Sequence, residues 1–253
     1  MEFHECSVED LRQLILGGIN GHPSLETIRL KSCTRDSVNS HDILRALFSC
    51  NNINTCTVLD LSGNDIETMG HTHLPDFLAT NPPLRELDLA ENQFNDDDVV
   101  LIASALKQNT NLRLLSLDSN NIHASGRNAL GSVTFDCLDL NTAANSNHTC
   151  SIVGVDIHSG FYAEDNPCNG SEDPSINRAG KLYSILSARN RDGTNVDHLN
   201  SEFGGDYSKF VPLVLDSVDC YSRKSIAVWG RAEAPLSITY EVLRNWVMPE
   251  LFG

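Results

Sequence analysis

Apolar and polar residues along the chain alternate in a sentence that is written three times between Thr55 and Ile122. It reads Val58-Leu59-Asp60-Leu61-Ser62-Gly63-Asn64-Asp65-Ile66, then Leu84-Arg85-Glu86-Leu87-Asp88-Leu89-Ala90-Glu91-Asn92-Gln93-Phe94, then Leu112-Arg113-Leu114-Leu115-Ser116-Leu117-Asp118-Ser119-Asn120-Asn121-Ile122. The common form is L-x-x-L-x-L-x-x-N-x-apolar, and the central Leu59, Leu87 and Leu115 stand 28 residues apart. Alternation of period two predicts a short strand in each copy, with Leu59 and Leu61 turned inward and Asp60 outward. One such unit has too little apolar surface to fold alone, so stacked copies must share a core. The asparagine that follows each strand is expected to bond backbone groups of its own turn and the next, which would otherwise be buried unpaired.

The same reading extends in both directions. Leu25-Glu26-Thr27-Ile28-Arg29-Leu30 predicts an earlier strand, with Cys33 at the ladder position of Asn64, Asn92 and Asn120. A helix is predicted from a Ser7 cap through Leu11, Leu14 and Ile15, ended by Gly17-Gly18. A second starts at Ser40 and carries Ile43, Leu44, Leu47 and Phe48. His71 to Leu78 reads as a short helix with Pro75 in its first turn, and Pro82-Pro83 forces the chain extended before the next strand. Asn95 and three aspartates open a helix over Val99, Ile102, Ala103 and Leu106. Beyond Ile122 the convex segment Ser125 to Val133 has room for a short helix. Phe135-Asp136-Cys137-Leu138-Asp139-Leu140 then predicts a fifth strand, with Ala143 where the asparagine would stand.

The repeated motif resembles the leucine-rich repeat, and its 28-residue period resembles the ribonuclease-inhibitor-like subclass over about residues 20 to 145. The resemblance implies an α/β fold: a solenoid with a curved parallel sheet inside and helices outside. Residues 1–145 are then the solenoid with an N-terminal capping helix. The Asn-, Ser-, Gly- and Asp-rich stretch 146–176 reads as a loop-rich connector, with one apolar patch at Ile152-Val153-Gly154-Val155. Residues 177–253 read as a helical C-terminal cap, from amphipathic spacing at 179–189, 208–221 and 237–248. The stretch 177–203 is similar to the tails of uncharacterised repeat proteins of single-celled algae, a likeness that implies no activity.

Composition narrows the class. The 253 residues hold 34 Asp and Glu against 18 Lys and Arg, a formal charge of −16. Such an acidic chain disfavours nucleic acid and anionic membrane and favours a basic or mixed-charge protein partner. Eight cysteines are scattered without a C-x-x-C pair, which argues against a zinc site or a disulfide scaffold. Met1-Glu2-Phe3-His4-Glu5 has no apolar run of a signal peptide, and no stretch approaches a membrane span. The expected location is cytoplasmic, with the nucleus as the other setting. The acceptor sequences Asn147-His148-Thr149 and Asn169-Gly170-Ser171 then read as chance loop sequence.

Candidate chemistry is sparse. His71-Thr72-His73 places two imidazoles on different sides of a helix, a poor start for a metal site. Asp96-Asp97-Asp98 lacks the spaced oxygens and distal glutamate of a calcium loop. No phosphate loop, G-x-S-x-G elbow or H-E-x-x-H is present, so neither an enzyme nor a cofactor is expected. The outward strand positions offer a surface instead. Arg29, Val58, Asp60, Glu86, Asp88, Leu114, Ser116, Asp118 and Asp139 are the candidate partner-binding residues, an acidic face with apolar spots. Non-enzymatic protein binding is the expected function. The repeats also resemble those of proteins that activate the Ran GTPase, which implies regulation of a small GTPase as the alternative, with Arg127 the one loop arginine. A third reading is a fragment of a longer repeat protein. Oligomeric state is open.

Overall fold

The structure is a computed structural model that describes residues 8–19, 22, 25–33, 40–157, 169–203 and 212. The expected helix at 208–221, apart from residue 212, the expected helix at 237–248 and the Ser7 cap lie outside the described residues.

Five three-residue strands form one parallel sheet in chain order: β1 (Thr27–Arg29), β2 (Val58–Asp60), β3 (Glu86–Asp88), β4 (Leu114–Ser116) and β5 (Ser151–Val153). Register matches the repeat, with Ile28 opposite Leu59, Leu59 opposite Leu87 and Leu87 opposite Leu115. Parallel strands need a crossover. It is supplied by α2 (Ser40–Phe48), α3 (His73–Ala79), α4 (Asp96–Leu106) and α5 (Ala124–Thr134). Before them, α1 (Val8–Leu14) runs into a single π turn, Ile15–Ile19, that contains the two glycines expected to end it. The wider turn keeps Ile15 and Ile19 buried where a stop at Gly17 would release them.

One side of the sheet is the core. The central row Ile28, Leu59, Leu87, Leu115 and the next row Leu30, Leu61, Leu89, Leu117 are each at most 4% exposed. Against them pack Leu44 and Leu47, Leu74 and Leu78, Val99, Ile102 and Leu106, and Leu130 and Val133. The repeats thus form an α/β solenoid, with one sheet face sealed by helices and the other carrying the residues between the leucines.

The end of the sheet departs from the expected repeat. Phe135 to Asp139 forms no strand, and Asp139 is the N-cap of α6 (Leu140–Ala144). Its carboxylate accepts from Thr142 N, while Thr142 Oγ1 accepts from Asp139 N. This reciprocal cap outweighs the alternation of Phe135, Cys137 and Asp139. The place beside β4 is taken by Ser151–Val153, from the stretch read as a connector, with Ser151 opposite Leu114 and Val153 opposite Ser116.

The chain divides into two compact units, 1–134 with 149–170, and 135–148 with 171–253. The second unit contains α6, α7 (Pro174–Arg191) and α8 (Asn195–Phe203). In it the Arg189 guanidinium, itself buried, meets the Glu202 carboxylate at 2.5 Å, and Glu202 accepts from Leu140 N.

Candidate functional site

The open face of the sheet is held by the turns that end each strand. Asn64 donates to the carbonyls of Leu30, Leu61 and Ser62 and accepts from Cys33 N. Asn92 donates to Leu61, Leu89 and Ala90 and accepts from Asn64 N and Ile66 N. Asn120 donates to Leu89, Leu117 and Asp118 and accepts from Phe94 N. Each amide therefore ties its own turn to the one before it. The residue preceding each of these positions, Ser32, Gly63, Glu91 or Ser119, takes a positive φ of 50 to 70°. That left-handed step lets the chain leave the strand sharply. At Gly63 a side chain would also meet Ser32 Oγ at 2.6 Å.

On this scaffold the face reads in two rows. One is Thr27, Val58, Glu86, Leu114, Ser151; the other is Arg29, Asp60, Asp88, Ser116, Val153. Arg29, Glu86 and Leu114 are exposed, Val58, Asp60, Asp88 and Ser116 are half-buried, and Asp118 is exposed just beyond β4. Asp139 is absent from the face, and Val153 stands in the place expected for it. Leu114 is 37% exposed and Val153 41%, so two large apolar side chains are open to water on adjacent strands. Sequence reasoning missed Ser151 and Val153. The β-branched pair Ile152-Val153 before Gly154 is the signal that finds them.

The carboxylates on the face are unbalanced. Asp60 and Asp88 are in register on β2 and β3. Asp60 Oδ1 accepts from Ser62 N at 3.0 Å and Ser62 Oγ at 2.7 Å, and Asp88 Oδ1 accepts from Ala90 N at 3.0 Å. These bonds aim each carboxylate, and Arg29 stands in register with Asp60 on β1. Among the described residues no ion pair engages Asp60, Glu86, Asp88 or Asp118. Like charges on neighbouring strands repel, and a cation placed between them relieves that repulsion.

Other polar clusters serve the fold. Asn95 caps α4 through Asp97 N and Asp98 N, and Asp98 returns a bond to Asn95 N. The same buried Asp98 accepts from Thr68 Oγ1, which couples α4 to the turn of the preceding repeat. Asp96 accepts from Ser125 Oγ and His123 N at the start of α5, and these bonds hold its carboxyl below the ordinary carboxylate value. On the helix-to-strand side, Asn109 donates to Leu78 O, and Asn111 donates to Asn81 O and Pro82 O. Arg127 lies within α5 and donates to the carbonyl of His123, the residue just before that helix.

His41, His71 and His73 come together as a stack, with ring centroids 5.0 and 5.4 Å apart and planes within 20°. Stacked rings point their nitrogens outward along parallel planes, so the lone pairs do not converge. Among the described residues no group of His, Cys, Asp or Glu is arranged to hold a metal ion. Cys33, Cys50, Cys56 and Cys150 are buried thiols. Burial raises the pKa of Cys50 and Cys56, and pushes that of Cys150 up to about 12. In the second unit His148 is lowered to about 4 by burial and then by the nearby Lys181 and Arg178 charges. Asn147 and Asn169, the acceptors of the two glycosylation sequences, are each 6% exposed, and Asn169 donates to Cys150 O. No helix of the described residues is long and apolar enough to cross a membrane.

A family model described as Leucine Rich repeat matches residues 80–103 and 108–131. Among solved structures, "Leiomodin-1 Actin-Binding Site 2 (ABS2)" is similar at 12% identity and a TM-score of 0.44. That match covers 74% of this chain and 94% of that one. A search of curated proteins returns no match.

Proposed function

We propose that this leucine-rich repeat chain is a protein-interaction module whose open sheet face takes a basic or mixed-charge protein surface. The observation that carries the reading is the in-register pair Asp60 and Asp88, flanked by exposed Glu86 and Asp118, none of them held in an ion pair among the described residues. Asp60 and Asp88 are each oriented by a bond from their own turn, so little order has to be gained by those two side chains on binding. Leu114 adds apolar area beside the charges, the mixture of anchor and polar surround that binding faces use.

The test is affinity capture from a lysate with the wild-type chain and with Asp60→Lys/Asp88→Lys, followed by binding curves for each protein recovered. Reversing two central charges is expected to weaken a bound partner by at least tenfold, through a faster off-rate and a lost steering field. Raising salt is expected to weaken it further, because the screening length is about 8 Å at physiological ionic strength. A partner that binds the double variant as tightly as wild type removes the face from the reading.

A further inference from the structure

The dimensions and charge order of the same face define what it takes. This inference rests on the proposed binding role and narrows it. Each strand contributes three residues, so the open face is about 10 Å wide along the strands. Five strands span about 19 Å across the sheet. An α-helix with its side chains is about 10–12 Å in diameter. Laid across the strands, it fills the width of the face, and about 13 residues cover its length.

The two ends of that track differ chemically. Asp60, Glu86 and Asp88 occupy β2 and β3, and Leu114 and Val153 occupy β4 and β5. Leu114 and Val153 are diagonal neighbours, because Ser151 is opposite Leu114 and Val153 is opposite Ser116. Arg29 and Lys31 close the β1 end with positive charge, so a cation is not welcome there. The midpoint of the carboxylate pair and that of the apolar pair lie two strand spacings apart, about 10 Å. On a helix that distance is seven residues, two turns, which returns to the same face.

We infer that the occupant is an amphipathic basic helix of a protein partner, crossing the strands with Lys or Arg over Asp60, Glu86 and Asp88 and a large apolar side chain two turns away over Leu114 and Val153. Buried apolar anchors supply the holding energy, and the carboxylates set position along the track.

The experiment uses the full chain and two fluorescein-labelled 14-residue peptides of one composition. The matched peptide carries two lysines and two leucines seven residues apart on a single helix face. The permuted peptide carries the leucines on the opposite face. Fluorescence anisotropy is expected to show the matched peptide binding at least tenfold tighter than the permuted one. Val153→Asn is expected to remove that advantage and leave the permuted peptide unchanged. Val153→Thr, of nearly the same shape, should reduce the advantage in the same direction, which separates loss of the anchor from loss of the fold. Equal affinities for the two peptides, or no binding of either, overturn the helix inference. If both bind equally and Asp60→Lys/Asp88→Lys abolishes both, the acidic-face reading stands without it. If lysate partners ignore Asp60→Lys/Asp88→Lys, the wider reading fails on its own measurement.

Discussion

Asn92 concentrates more hydrogen bonding than its size suggests: three donated and two accepted bonds, all within the turns of two repeats. It is 2% exposed, so truncation leaves several buried groups unpaired without access to water. Asn92→Ala is therefore expected to cost about 3 kcal/mol, the upper end for a lost buried polar partner, read from urea unfolding with an unchanged m-value. His148 gives a pH dependence. In the folded chain it takes a proton only near pH 4, and burial with the adjacent cations Lys181 and Arg178 is the cause. Unfolded, a histidine titrates near pH 6.5. Between those values the unfolded state binds the extra proton, so this contribution to stability is complete above about pH 6.5 and declines as pH falls toward 4. Discounted for the partial exposure of the ring, the loss is about 1–2 kcal/mol. It is measured as the wild-type slope across that window compared with the flatter slope of His148→Gln.

Among elements, α4 and α5 show packing overruling propensity. Gly126 lies inside α5, where alanine is intrinsically better by about 1 kcal/mol. A Cβ there would meet Val99 Cγ2 at 2.5 Å and Asp96 Oδ1 at 2.7 Å, and would separate the two helices. Neither neighbour is the free end of a long side chain, so the overlap prevails. Gly126→Ala is expected to destabilise by about 1–2 kcal/mol net and lower the melting temperature. An unchanged or raised melting temperature would mean that α5 moves outward at little cost. The segment 135–153 shows the same competition between strand and cap. Its first half satisfies its backbone locally through the Asp139 and Thr142 cap, and its second half satisfies it across the sheet through Ser151 and Val153.

For the molecule as a whole, the formal charge of −16 acts on folding and on binding with opposite signs. Repulsion among surface carboxylates opposes the compact state, and salt screens it. Raising sodium chloride from about 20 to 200 mM, which shortens the screening length, is expected to raise the melting temperature by a few degrees. The same change is expected to weaken capture of a basic partner. A scan showing stability and binding both falling with salt would place the dominant surface electrostatics in attractive pairs within the chain.

The periodic leucines at 59, 87 and 115 determined the strands, their parallel register and the buried side of the sheet. Those features follow from spacing alone, because period two chooses the face and a fixed interval chooses the neighbour. The start of α4 was equally legible, since Asn95 and the three aspartates satisfy its first turn with residues that adjoin it in sequence. Tertiary structure decided the last strand. Phe135–Leu140 and Ser151–Val153 both satisfy the local pattern, and only the helix cap at Asp139 and the open edge of β4 distinguish them. That choice replaced an expected Asp139 by Val153 and turned one end of an acidic face apolar. The stacking of His41 on His71 and the contacts of Gly126 with Val99 and Asp96 likewise join residues 27 to 30 positions apart, a proximity that exists only after the coil has closed.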